Sequence, residues 1–299
     1  MACSLEILCL RTDNGVRLTS HHPLLEDAGI VGRPLFGGTP VNIVVCMKET
    51  PSTTAEKSFT ADMRLERRKE DAIPNPFDEY AIEEGLRQQE KNPGSTVTML
   101  CMGPATATDT IRKALAMGGD RGVLVTDPAL AGSDAISTAR VLAAALTKIG
   151  YDLVIFGNAA ADAYGGVVPS AVAEFLGKPL LSYASQLGIA GDKATIQRQA
   201  EIGYNVVEAP LPALVSVVKS INEPRYPSMK GIMASKKKPL DTFSLADLGL
   251  DAATVGGAAA REKALGAEKV STQRKGEIYV GNDGAADRVV AFLVEQKVL

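Results

Sequence analysis

Apolar positions recur along this chain in two alternating rhythms. Val41 to Met47 is an apolar, β-branched run of strand length, and Thr96–Met102, Gly122–Val125 and Tyr151–Phe156 are three more. Between them the spacing turns helical. Asn75-Pro76-Phe77-Asp78 leads into a helix whose Ala81, Ile82, Gly85 and Leu86 share one face, with Glu79, Glu83 and Glu84 early, where the helix dipole favours anions. Thr108 to Met117 turns Ile111, Ala114 and Leu115 inward and stops at Gly118-Gly119. A third helix opens at Ser133, runs through Leu146 and has Gly150 past its end. The alternation predicts an α/β fold, a parallel-rich sheet with helices on both faces. Short apolar strands such as Leu153-Val154-Ile155-Phe156 suit burial on both sides.

The rhythm is broken at both ends and after residue 178. Residues 1–40 show no sustained period and close on Gly37-Gly38-Thr39-Pro40, a loop signature. They read as an N-terminal extension, or as a start placed too early; a hairpin packed on the domain is the other reading. Residues 50–72 are polar and should form a surface excursion. Ala194–Gln197, Val206-Val207 and Ala213–Val218 look like strands without helices between them, so the sheet should gain antiparallel members there. From about 222 the chain is loop-like and basic, and it ends in a helix over Ala285–Gln296. The expected organisation is an extension over 1–40, an α/β domain over 41–235, and an arm over 236–299 too poor in core residues to stand alone.

Composition removes several function classes. A net charge of −3 gives no overall positive field for nucleic acid. Cys3, Cys9, Cys46 and Cys101 form neither a CxxC pair nor a zinc knuckle and read as reduced thiols. The only histidines are His21 and His22. If the fold begins near 41, a Ser-His-Asp or Cys-His machine and a His-ligated metal are excluded. No run approaches the roughly 18–20 apolar residues needed to cross a bilayer. Ser4–Leu10 is too short for a signal peptide and carries Glu6, so a cytoplasmic protein is expected.

Ligands of open parallel sheets bind past the carboxyl ends of the strands, at a switch point. Four segments should meet there: Cys46-Met47-Lys48, Asn75–Asp78, Met102-Gly103-Pro104, and Gly157-Asn158-Ala159-Ala160-Ala161-Asp162 running into Gly165-Gly166-Val167-Val168. Their glycines let backbone N–H groups approach an anion, and a helix start beyond favours phosphate. Neither GxGxxG nor GxxxxGK[ST] occurs. The plain alternative is that the glycines only turn the chain and Asp162 caps a helix. A second constellation, Asn222 to Met233, is stiffened by Pro224 and Pro227 and carries Tyr226, Met229, Ile232 and Met233 on a loop, a candidate docking surface. Lys236-Lys237-Lys238 reads as a solvated face.

Several long motifs then agree with one family. Asn75–Glu84 (NPFDEYAIEE) resembles the NPFDEYALEEA segment of electron transfer flavoprotein β subunits. Gly103-Pro104 with Ile111–Arg121 resembles their GP…RKALAMGADR. Leu211-Pro212-Ala213, Asn222–Pro227 and Ile232–Lys238 resemble LPA, NEPRYP and IMxAKKK. The resemblance runs from about 42 to 250, in order.

It implies an adenine-nucleotide α-hydrolase-like fold and a heterodimer with an α subunit that holds most of the FAD. It implies structural AMP bound at Cys46, at Asn75, Pro76, Phe77 and Asp78, at Met102, and along Gly157–Val168. It implies partner recognition through Arg225, Tyr226, Met229, Ile232 and Met233. The activity implied is one-electron shuttling from flavin dehydrogenases, such as the acyl-CoA dehydrogenases of fatty acid oxidation, to a quinone-linked oxidoreductase, with no catalytic residues and no metal.

Gly157 and Asp162 of the family's GKQxxDxDxxQxG are retained, and its Gln and second Asp are not. Lys48 is followed by Glu49-Thr50-Pro51 where Gln-Val-Pro is usual, and Gln199 stands where a Glu is common. Three other readings follow: a bifurcating type with a second FAD in place of AMP, an adenine-nucleotide enzyme or sensor acting without a flavoprotein partner, and an interaction subunit with an empty cleft.

Overall fold

A computed structural model describes residues 10–11, 17–21, 40–267 and 284–299. In chain order the strands and helices are β1 (Leu10–Arg11), β2 (Arg17–His21), β3 (Asn42–Met47), β4 (Glu49–Pro51), β5 (Ala72–Pro74), α1 (Pro76–Lys91), β6 (Thr96–Met102), α2 (Ala107–Met117), β7 (Arg121–Val125), α3 (Ala135–Ile149), β8 (Leu153–Gly157), α4 (Val168–Leu176), β9 (Leu180–Ala190), β10 (Lys193–Gln199), β11 (Tyr204–Pro210), β12 (Ala213–Val217), α5 (Met229–Ser235), β13 (Leu240–Phe243), α6 (Gly256–Ala259) and α7 (Ala285–Glu295). The described residues form one large sheet in the order β1-β2-β11-β10-β9-β12-β8-β3-β6-β7-β13, with β4 and β5 pairing apart from it.

From β9 to β13 every neighbouring pair in the large sheet is parallel. This is the expected α/β class. Side chains alternate across the strands, so β3 sends Ile43, Val45 and Met47 to a core beneath α1 and α2, and Val44 and Cys46 to a core beneath α3 and α4. Gly85 lets α1 lie close on the sheet: a Cβ there would stand 2.8 Å from Val45 Cγ2.

The strand spans expected at 96–102 and 122–125 and the helix near 108–117 match β6, β7 and α2 within a residue. Others shift. α3 begins after Asp134, which accepts from Ser137 N–H at 2.7 Å; Ser133 instead donates to Leu130 O at 2.8 Å. The helix start expected beyond Gly165–Val168 is that of α4, and 180–190, without an expected element, is β9. The antiparallel members are β10 and β11, with β2 beyond them, while β12 is parallel to both neighbours.

The loop expected from 222 contains the helix α5. Within the stretch expected as an arm, β13 lies parallel beside β7. Residues 1–264 and 265–299 form separate units. In the second, α7 coincides with the expected closing helix, and its Val289, Val290 and Phe292 are exposed. Most of the expected extension, including Cys3, Cys9 and His22, lies outside the described residues.

Candidate nucleotide site and partner-facing loop

β3 is the first strand of the parallel block. The chain goes from it to β6 on one side and later returns to β8 on the other, so the switch point is the crevice between β3 and β8. Register brings the expected segments together at its rim. Met47 pairs with Cys101 and Cys46 with Phe156, so Lys48, Met102 and Gly157 follow on adjacent strands. Asn75, buried at the head of α1, closes on the loop after β8. Its Nδ2 donates to Ala159 O at 2.8 Å, and its Oδ1 accepts from Ala161 N–H at 3.0 Å. Asp78 Oδ2 accepts from Lys48 N–H at 2.8 Å. Burial pushes the Asp78 carboxyl up to about 7, against the Lys48 and Gly157 N–H groups, the Asn75 side chain and the Lys48 charge, which pull it down.

Gly157 is a steric requirement. A Cβ there would stand 2.5 Å from Asp78 Oδ1 and 2.8 Å from Phe77 O. Asn158 N–H donates to Val217 O at 3.1 Å, and its buried Oδ1 has no partner among the described residues. Asp162 is not a helix cap. Its carboxylate, buried to 2% side-chain exposure, takes Lys48 Nζ at 2.8 Å and the Arg67 guanidinium. Burial raises that carboxyl, but the two cations outweigh burial and hold it below the usual carboxylate range. α4 starts at Val168 with no side-chain cap on its N-terminus, and Pro169 stands in its first turn. Gly166 has φ +63°, with the Tyr183 hydroxyl beside it.

The remaining expected positions divide. Cys46 is buried against the α3–α4 core, and its thiol is pushed up by burial, then by Asp78 and Cys101. Met102 is half-buried against the same core. Phe77 lies edge-on to Tyr164 at 5.7 Å between ring centres, with Lys219 Nζ 4.8 Å over its ring. Sequence reasoning did not find Arg67, Lys219, Tyr164 or Tyr183 here. Arg67 and Asp162 are 95 residues apart, and no local pattern marks such a pair. A cleft of ≈ 350 Å³ adjoins the site between β4–β5 and the start of α2, lined among others by Thr50, Arg67, Arg68 and Thr106. No group of three or more His, Cys, Asp or Glu suited to a metal occurs among the described residues. An adenylate fits this donor set: a glycine-lined turn, an uncapped helix start for phosphate, and the orphaned Asn158 amide oxygen for a polar edge.

The second constellation sits on α1 and α2. Asn222 Nδ2 donates to Tyr80 O at 3.0 Å and Glu84 Oε2 at 3.2 Å. Arg225 grips buried Glu83 with Nε at 2.7 Å and Nη2 at 3.1 Å, and Glu90 with Nη1 at 2.7 Å. Arg225 therefore faces inward, unlike the exposed Tyr226, Met229, Ile232 and Met233. Ser228 caps α5 by accepting from Gly231 N–H at 3.0 Å. Lys238, expected as a solvated charge, donates to Leu115 O at 2.9 Å and Gly118 O at 3.0 Å and so closes the end of α2. Glu83 and Glu84, expected early in the helix where its dipole favours anions, are buried anchors for this loop.

Residues 62–248 match the electron transfer flavoprotein domain. The chain is 42% identical to an electron transfer flavoprotein subunit beta of Mycobacterium leprae over 264 residues, covering 86% of this chain and 99% of the relative. It is 33% identical to the subunit beta of Megasphaera elsdenii over 273 residues, covering 87% and 100%. It is also 33% identical to the caffeyl-CoA reductase-Etf complex subunit CarD of Acetobacterium woodii over 262 residues, covering 87% and 100%. The chain belongs to the electron transfer flavoprotein β subunit family. It is accordingly an electron-carrier subunit rather than an enzyme, associated with flavin and partnered by an α subunit. No described helix is long and apolar enough to cross a membrane.

Proposed function

We propose that this chain binds AMP structurally and completes an FAD-bearing heterodimer that takes electrons from flavin dehydrogenases, such as those acting on acyl-CoA in fatty acid oxidation, and passes them towards the quinone pool. The observation that carries the AMP reading is the cradle at the β3–β8 crevice. Asn75 holds the Ala159–Ala161 backbone, Gly157 leaves no room for a side chain, and the α4 N-terminus has no cap of its own. In this reading Asn158, Gly165, Gly166, Val167 and Val168 lie against the nucleotide, while Cys46, Met102 and Asp78 support the loops from beneath. Tyr226, together with Met229, Ile232 and Met233 on the capped helix α5, forms the dehydrogenase-facing surface. The unit beyond residue 264, with exposed apolar residues on α7, packs on the α subunit.

A second reading has one specific support: the relative CarD of Acetobacterium woodii is a subunit of a caffeyl-CoA reductase-Etf complex. A bifurcating β subunit would hold a second FAD where AMP is proposed. Mixing the co-expressed heterodimer with an acyl-CoA dehydrogenase and its substrate separates the two. Flavin reduction by the dehydrogenase, with none by NADH alone, is expected for the simple carrier. Direct reduction by NADH would contradict it.

A further inference from the structure

The segment 222–235 is built like a bracket. Arg225 and Tyr226 are neighbours in a stretch without helix or strand between Pro224 and Pro227; a residue before proline favours extended backbone, where successive side chains point opposite ways. Because Arg225 is held inward by Glu83 and Glu90, Tyr226 is turned outward and stands 95% exposed. α5 repeats the division with helical spacing. Met229 and Met233, 75% and 70% exposed, lie on its outer face. Gly231 and buried Ser235 lie on the inner face, where a Cβ on Gly231 would collide with Ala116 O and Ser235 O accepts from Arg112. Glu83 is 3% exposed at its side chain and meets Arg225 through both carboxylate oxygens, a two-point contact that fixes direction as well as distance.

We propose that Arg225 is a positioning residue for docking: its fork on Glu83 holds the Tyr226–Met233 row in its binding geometry before the dehydrogenase arrives. Arg225 itself does not touch the partner. Preordering of this kind lowers the ordering cost of association without adding a contact. The inference rests on the reading of that row as the dehydrogenase surface.

The test uses the co-expressed heterodimer and an acyl-CoA dehydrogenase with its substrate, with KM for the heterodimer and kcat measured separately. Arg225→Ala and Glu83→Gln should each raise KM about ten-fold while kcat and FAD per heterodimer hold at wild-type values. Arg225→Lys, which keeps the charge but lacks the fork, should fall between wild type and Arg225→Ala. Met229→Asp probes the surface itself and should raise KM at least as much. A raised KM for Met229→Asp with wild-type KM in the Arg225 variants would overturn the positioning role and leave the surface standing. A wild-type KM for Met229→Asp would overturn the surface and the positioning role together. Loss of FAD in Arg225→Lys would reassign the fork to holding the fold.

Discussion

Asp78 and Asp162 are carboxylates that both bond Lys48, one through its backbone and one through its side chain, and their surroundings push them in opposite directions. Asp78 has only hydrogen-bond donors and the Lys48 charge against full burial, which pushes it up to about 7. In an unfolded chain it would ionise near 3.9. Between those values the fold holds one more proton than the unfolded chain, so this group's contribution to stability falls as pH rises from about 4 to about 7 and is level above. The slope is on the order of 1.4 kcal/mol per pH unit at its steepest. Asp78→Asn removes the titration. The Tm advantage of the wild-type heterodimer over the variant should shrink as pH climbs through that range, and parallel Tm curves would contradict the assignment.

Asp162 behaves the other way. Its lowered pKa means that its stabilisation is present above the unfolded value near 3.9 and is lost as pH falls through the lower folded value. Lys48 and Arg67 are each 41% exposed, which screens the pairing. Asp162→Asn should therefore cost only about 1–2 kcal/mol at neutral pH. Denaturant unfolding should show that cost vanishing in acid.

Single helices and loops show why part of the site was legible and part was not. The glycine-lined segment 157–168 announces itself locally, because a turn after an apolar strand has few other readings. Its closure by Asn75 follows from the parallel register. Arg67 was invisible because it arrives from the polar excursion through tertiary structure alone. Glu83 and Glu84 lie beyond the first turn of α1, where the dipole effect fades, and their partners Arg225 and Asn222 are too distant in sequence to be legible. The extent of α4 was hidden by its weak start: Val167 is a poor cap, and Gly165-Gly166 reads as loop.

Two substitutions test these elements. Gly157→Ala forces a Cβ to within 2.5 Å of Asp78 Oδ1. It should cost about 1–3 kcal/mol and abolish retained AMP while the α subunit keeps its FAD; retention of AMP in the purified variant would count against the cradle. Gly231→Ala brings a Cβ to Ala116 O and should lift α5 off α2. Its expected signature is a raised KM for the dehydrogenase with unchanged AMP content.

At the level of the molecule, the alternation of apolar strands with amphipathic helices specified β3, β6, β7 and β8 as members of the parallel block and the helices α1 to α3 beside it, but not β9, β12 or β13 as its parallel members. It could not specify which strand lies beside β3 on its far side, since that depends on the direction in which the chain crosses, and with it the location of the crevice. The edge strands were less legible for a related reason: β13 is four residues long and is placed by tertiary contacts, its pairing with β7 and the packing of Leu240 and Phe243 on the two cores. The absence of histidine from 41 onward spoke only against histidine-assisted chemistry in that part of the chain, and electron carriage is assigned by the family.

The central claim is that this subunit contributes a nucleotide cradle, not a second redox centre, to a flavoprotein heterodimer. The most direct measurement is to purify the chain with its co-expressed α subunit, denature the complex and quantify what is released. One FAD and one AMP per heterodimer is the expected result. Two FAD without AMP, or flavin with no nucleotide at all, would contradict the account.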